Sequence, residues 1–308
     1  MYLRYAVRRL LGIVPTLFVI VTAAFFLMRL APGGPFDAEH MPPPEIRANL
    51  QAAYGLDQPV LVQYGRYLAG LLHGDLGPSF RLKDYGVAEL IGDGLPVTLS
   101  IGGAALLLAV VLGVPLGVLA GHRHNGWVDH GVMATALAGI AVPNFVVAPL
   151  LALVFGITLK WLPVAGWEPG SPRYMILPVV TLALPFIAYV ARLTRGSLLE
   201  VLQSPWIRTA RAKGITGAAI LRRHALKPAL MPVLSFLGPA AAALLTGSLV
   251  VEQVFGLPGV GRYFVQGAVN RDYTLVMGMV VFYATLILLL NLAVDLAYGW
   301  LDPRIRHE

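Results

Sequence analysis

The chain has 308 residues, of which 57% are hydrophobic and only 13% charged. A soluble domain is about half apolar even with glycine counted, so composition excludes one and indicates a polytopic, all-helical membrane protein. A formal net charge of +7 raises the question of a nucleic-acid partner, and the absence of cysteine excludes disulfides and thiolate chemistry.

The basic stretch Tyr2 to Arg9 leads into an apolar run, Leu10 to Leu30, that is long enough to span at about 20 residues. A cleaved signal peptide would have a shorter apolar core with a small-residue cleavage pattern. Here Arg29 closes the run, which points to a retained anchor. Further runs at Pro96 to Ala120, Val132 to Ile157, Met175 to Leu193, Met231 to Val251 and Leu275 to Tyr298 bring the spans to about six. An even number places both termini on one side. Arg4, Arg8, Arg9, Arg123, Arg195, Arg208, Arg211, Lys213, Arg222, Arg223, Lys227, Arg304 and Arg306 all fall on that side, which the positive-inside rule makes cytoplasmic. In the opposite connections Lys160, Arg173, Arg262 and Arg271 are partly balanced by Glu168, Glu252 and Asp272. This distribution explains the basicity without nucleic acid.

The chain thus divides into three regions: 1–30, the N-terminal segment and first span; 31–95, an external region; and 96–308, a core of five helices that contains the polar segment 204–228. In the external region Ile46, Leu50 and Ala53, then Leu61, Tyr64, Leu68 and Leu71, recur at helical spacing. Two short amphipathic helices are expected there, serving either as a lid on the bundle or as a docking surface for a substrate-delivery protein.

Gly113, Gly117 and Gly121 repeat at every fourth position, which lets a neighbouring backbone approach closely. Pro115, Pro143, Pro149, Pro178, Pro185 and Pro239 should kink their spans, through a working hinge or ordinary membrane-helix tolerance of proline. Asp295 is a solitary charge in the last span and suits an interhelical hydrogen bond, while Arg192 and Arg195 are expected to snorkel to the cytoplasm. Few deep charges argue against an ion-coupled secondary carrier. A path for varied cargo needs polar lining without tight fixed sites. Asn144, Thr181, Tyr189, Ser235, Thr246, Ser248 and Tyr283 are the candidates, although Thr246 and Ser248 also suit hydrogen bonds between helices.

No G-x-x-x-x-G-K-S/T loop, HExxH or G-x-S-x-G occurs, so the chain carries no signature of an ATPase, metalloprotease or esterase, and no enzymatic activity is expected. His122 and His124, with Asp129 and His130 nearby, read as loop residues rather than metal ligands, and no metal site is expected.

The segment 204–228, SPWIRTARAKGITGAAILRRHALKP, is the polar island of the chain. Ser204 suits an N-cap, Pro205 the first helical position and Gly214 a left-handed stop, which predicts a helix from about Pro205 to Lys213. A second helix is expected from Ala218 to Leu226, ended by Pro228. Thr209, Ala210 and Ala212 leave a slim surface that suits a partner's cleft, and a basic loop resting on anionic lipid is the competing reading. On the other face, Gly256, Pro258, Gly259 and Gly261 predict a tight turn that either touches cargo or seals a gate.

IRTARAKG followed by RRHALKPAL resembles the coupling segment of permease subunits in ATP-driven (ABC-type) importers, specifically the first permease of the dipeptide and oligopeptide group. RLAPGGPF (29–36), GDLGPSF (74–80) and EQVFGLPGVGR (252–262) are similar to that family in the same order, and the first two look most like its oligopeptide branch. By this resemblance Arg208, Thr209 and Ala210 stand in place of the family's Glu-Ala-Ala and Gly214 in place of its glycine, with Ala212 and Lys213 in the same ATPase-coupling element. Leu226 and Pro228 stand near its Leu-Pro, with Lys227 between them. The missing glutamate departs from the broad importer pattern and matches the peptide branch. The resemblance implies a bacterial inner-membrane permease that works with a second homologous permease, two ATP-binding subunits that hold ATP and Mg, and an external peptide-binding protein. Oligopeptides are the leading cargo, with dipeptides or nickel chelates as alternatives.

Overall fold

The computed structural model describes residues 2–30, 34, 43–82 and 84–301. Most of the 31–42 stretch, including Asp37 and Glu39, lies outside the described residues, as do the side chain of Asp295 and the tail that contains Arg304 and Arg306. The helices are α1 (Tyr2–Leu30), α2 (Pro44–Ala53), α3 (Val60–Leu72), α4 (Val87–His122), α5 (Trp127–Ala141), α6 (Asn144–Leu151), α7 (Arg173–Leu202), α8 (Pro205–Ala212), α9 (Gly217–Ile220), α10 (Leu226–Val254), α11 (Val260–Val269) and α12 (Tyr273–Leu301). Among the described residues no strand forms beyond one isolated bridge, Pro78 with Gly86. The fold is all-helical.

Among the described residues five helices are long and apolar enough to cross a membrane, and α5 with the helix beginning at Asn144 makes a sixth candidate bent by 100°. The third span expected at Val132 to Ile157 is therefore broken. The cause is local. Pro143 disfavours the helical conformation at the residue before it, and Val142 is extended (φ −89°, ψ 119°). The chain restarts at Asn144 and passes through Pro149 into a π-helical turn, Ala152–Thr158. Pro178 and Pro185, in contrast, lie inside an unbroken α7.

The structure divides into two compact units, one built on residues 98–257 with 289–308, here the core unit, and one on 3–97 with 258–288, here the split unit.

In the core unit α4 meets α7 through its glycine repeat. A Cβ at Gly113 would lie 2.7 Å from Val190 Cβ, one at Gly117 would collide with the Ala191 carbonyl, and one at Gly121 would lie 3.1 Å from Leu198. The small residues are what allow these backbones to touch. Arg195 does not simply snorkel. Its Nε and NH2 donate to the two Asp129 oxygens at 2.5 and 2.7 Å, and Asp129, 1% exposed, also accepts the Asn125 backbone N–H at 2.9 Å. A bidentate ion pair thus ties the start of α5 to α7, and His124 Nδ1 approaches the same carboxylate at 3.4 Å. Among the described residues no cluster of three or more side chains could hold a metal ion.

In the split unit α3 lies on α1 through aromatic packing. Tyr64 and Tyr67 stand 5.2 and 6.0 Å from the Phe25 ring, and the hydroxyls of Thr22 and Tyr64 are 2.6 Å apart. A second apolar cluster joins Val87, Leu90 and Ile91 of α4 to Val260 of α11 and to Leu275 and Met279 of α12. The loop after α3 is fixed by one carboxylate. Asp272 Oδ2 accepts from the Ser79 hydroxyl at 2.5 Å and from the Phe80 and Arg81 N–H groups at 3.0 and 3.2 Å, while Oδ1 accepts the Leu275 N–H at 3.1 Å. The GDLGPSF stretch therefore owes its shape to a residue almost two hundred positions away, and Asp272 is a buried structural acid rather than a loop charge.

Candidate functional site

The polar segment is built onto the end of α7. Ser204 occupies the N-cap position in extended conformation, but its hydroxyl turns back to the Val201 carbonyl at 2.6 Å instead of capping α8. Pro205 sits in the first helical turn, where its missing N–H leaves nothing unsatisfied. Helix α8 ends at Ala212, and Gly214 adopts φ +76° while Ile215 N–H returns to the Ala210 carbonyl at 3.2 Å, the left-handed stop that the sequence implies.

Beyond Gly214 the second helix expected from Ala218 to Leu226 begins at Gly217 but does not end at Leu226. The chain instead runs without a break from Gly217 to Val254, so Pro228 does not end a helix. Proline at 228 has no N–H for the carbonyl four residues earlier, and the π-helical turn Leu221–Ala225 lies just before it, carrying the chain through.

Two faces of α8 have opposite fates. Ile207 is fully buried and Ala210 is 7% exposed, packed with Leu198, Val201, Ile220, Ala225 and Ala229. Arg208, Thr209, Arg211, Ala212, Lys213 and Gly214 are exposed, with Trp206 beside them. Ala210 therefore belongs to the foot of the element and not to its free surface, and Ile207, which sequence reasoning passed over, is the anchor. Its place three residues before Ala210 on a helix otherwise rich in charge was the available signal.

The path candidates separate by burial. Thr181 and Ser248 are fully buried in the core unit. Thr181 donates to the Leu177 carbonyl at 2.8 Å. Ser248 donates to Glu252 Oε1 at 2.7 Å, which also accepts Thr98 Oγ1 at 2.8 Å. Thr181 and Ser248 thus bond within their own helices, whereas Glu252, a buried acid rather than a charge in an external connection, ties α10 to α4 through Thr98. Asn144, Ser235 and Thr246 are half-buried, and Tyr189 is exposed with its ring 5.9 Å from Phe236. Tyr283 lies in the split unit against Phe264 and Phe282.

The turn after α10 is narrower than the sequence suggests. Gly256 has φ +61°, and Leu257 N–H reaches the Glu252 carbonyl at 2.9 Å, a helix-ending motif. Pro258 comes next, Gly259 is extended (φ −93°, ψ 171°), and Gly261 is already helical and buried in α11. Within the split unit, Gly94 of α4 passes so close to the Gly259–Val260 peptide that a Cβ there would lie 2.8 Å from Val260 N.

Residues 113–307 match the family of binding-protein-dependent transport system inner membrane components, and residues 2–102 match the N-terminal part of such membrane components. The chain belongs to this family, and it is a multi-pass transmembrane permease subunit of an ABC-type importer. It is 52% identical to the oligopeptide transport system permease protein OppB of Salmonella typhimurium, over 99% of this chain and 100% of that one. It is 43% identical to the dipeptide transport system permease protein DppB of Bacillus subtilis, over 98% of each. Among solved structures it resembles the inward-facing MetNI methionine ABC transporter, with a TM-score of 0.59 at 20% identity, over 69% of this chain and 96% of that one. At that identity the likeness is one of fold.

Proposed function

We propose that this permease imports oligopeptides delivered by an external peptide-binding protein, and that the 204–228 segment couples it to ATP-binding partner subunits. The observation that carries the reading is the division of α8, with Ile207 and Ala210 sunk into the bundle while Arg208, Thr209, Arg211 and Lys213 face outward. An element gripped on one side and polar on the other transmits a push without detaching.

The chain pairs with a second homologous permease, and two ATP-binding subunits supply ATP and Mg, so hydrolysis takes place outside this chain. Both termini lie on the cytoplasmic side of a bacterial inner membrane, a placement that the lysine and arginine distribution supports. Of the polar candidates, Asn144, Tyr189, Ser235 and Thr246 keep enough exposure to meet cargo, whereas the Tyr283 hydroxyl is buried. Identity with the oligopeptide permeases exceeds that with the dipeptide permease, which favours oligopeptides as the leading cargo.

The test is ATP hydrolysis by proteoliposomes that contain the assembled transporter, with and without a delivery protein loaded with short peptides. Stimulation by the loaded protein and peptide accumulation inside are expected. Peptide movement driven by a proton gradient, with no ATPase co-purifying, would replace this reading with an ion-coupled carrier.

A further inference from the structure

The split unit carries an open pocket of about 290 Å³ that is lined by none of the coupling, path or turn residues. That volume stands at the lower end of small-ligand pockets, about 300 Å³. Its wall joins the end of α1, the turn after α2, one face of α3, the loop that Asp272 fixes and the start of α12.

Arg29 is the chemical centre. Its Nε and NH2 donate to Gln63 Oε1 at 3.1 and 2.6 Å, and its guanidinium lies over the Phe25 ring at 4.7 Å. Gln63 is locked in that orientation because its Nε2 donates to the carbonyls of Leu56 and Gln58 at 3.2 and 2.8 Å. A glutamine supplies an acceptor but no charge. Among the described residues no carboxylate pairs with Arg29. Arg66 adds a second guanidinium, packed so closely on Gly55 that a Cβ there would lie 2.9 Å from NH1. Tyr67 of the same wall has a buried hydroxyl with no hydrogen-bond partner, and burial pushes its pKa up to about 12, so it keeps its proton and remains a donor. Against these stands one carboxylate, Asp75, whose Oδ1 takes the Gly77 N–H at 2.8 Å.

The pocket thus presents two cations between aromatic walls, with the unanswered Tyr67 hydroxyl buried in one of them. A buried donor without an acceptor is costly, and a guanidinium matches a carboxylate in both charge and shape. We propose that this cavity binds the terminal carboxylate of a short peptide, with Arg29 as the principal anion contact and the rings of Phe25, Tyr54 and Phe80 against the adjoining side chain. The inference rests on the reading of the chain as a peptide permease and adds to it a recognition site outside the polar path.

The test uses the complete transporter in nanodiscs, without delivery protein, and fluorescent tripeptides ending in a free carboxylate or in an amide. Anisotropy should give saturable binding of the acid, about tenfold or more tighter than the amide, since one charge-assisted contact is lost. Arg29→Gln should erase the difference, and Tyr67→Phe should weaken the acid alone. Thermal unfolding checks that the variants remain assembled, and Arg66→Gln serves if Arg29→Gln does not assemble. Equal binding of acid and amide, or no saturable binding of either, overturns the proposal. So does equal binding combined with a weaker delivery-protein affinity in Arg29→Gln, which would assign the pocket to a carboxylate of the delivery protein. Wild-type peptide uptake, measured in parallel, separates the two levels. Uptake without acid–amide discrimination rejects this site alone, whereas absence of uptake rejects the peptide reading as well.

Discussion

Helix α8 in the core unit and the 75–82 loop in the split unit are each held by very few side chains, of opposite kinds. Helix α8 stands on apolar contacts, Ile207 and Ala210 against Leu198 and Ala225, and its polar groups are left to face outward. The loop hangs on Asp272, which accepts one hydroxyl and three backbone N–H groups. Apolar contacts are non-directional, so a helix anchored by them keeps its grip through small rotations. Hydrogen bonds to one carboxylate fix each donor within tenths of an ångström, which suits a wall that must not move.

The largest expected effect comes from removing the polar anchor. Asp272→Ala removes the acceptor shared by three N–H groups and a hydroxyl, of which the Arg81 N–H keeps Ser79 Oγ at 3.3 Å, and should cost about 3 kcal/mol or more in thermal unfolding of the purified protein. Asp272→Asn should recover part of this, and full stability in the alanine variant would break the contrast. Ile207→Ala removes the apolar anchor and should cost about 2–4 kcal/mol, since a fully buried aliphatic side chain is truncated. It should also lower ATP hydrolysis stimulated by loaded delivery protein.

Smaller effects sharpen the comparison. Gly214→Val meets no neighbour within 4 Å but must hold φ +76°, which costs about 1–2 kcal/mol. Coupling should fall while membrane insertion persists, and Gly214→Asn should be milder because asparagine tolerates that region. Arg208→Ala, on the exposed face, should change stability by less than about 0.5 kcal/mol. Co-purification of the ATP-binding subunits should still decrease.

Much of the architecture was legible in the sequence because its causes are local. The stop at Gly214 follows from glycine's access to positive φ, and the α4–α7 contact from glycines at every fourth position. Pro228 was misread because a proline's missing hydrogen bond need not end a membrane helix when a π-helical turn lies ahead of it. The break at Pro143 was visible as a proline, but the apolar run continues through it and hides the 100° bend. The ion pair of Asp129 with Arg195 and the grip of Asp272 on Ser79 join residues distant in sequence, and no periodicity or motif records them. The pocket around Arg29 belongs to the same class, assembled from several helices and a loop.

The most direct measurement is single-cysteine cross-linking, for which the chain is suited because it contains no cysteine. In the assembled transporter Thr209→Cys should cross-link to an ATP-binding subunit through a short thiol reagent, while Ala210→Cys, one residue away and buried, should not. Equal labelling at both positions, or none at Thr209→Cys in a transporter that still imports peptide, would contradict the assignment of α8 as the coupling element.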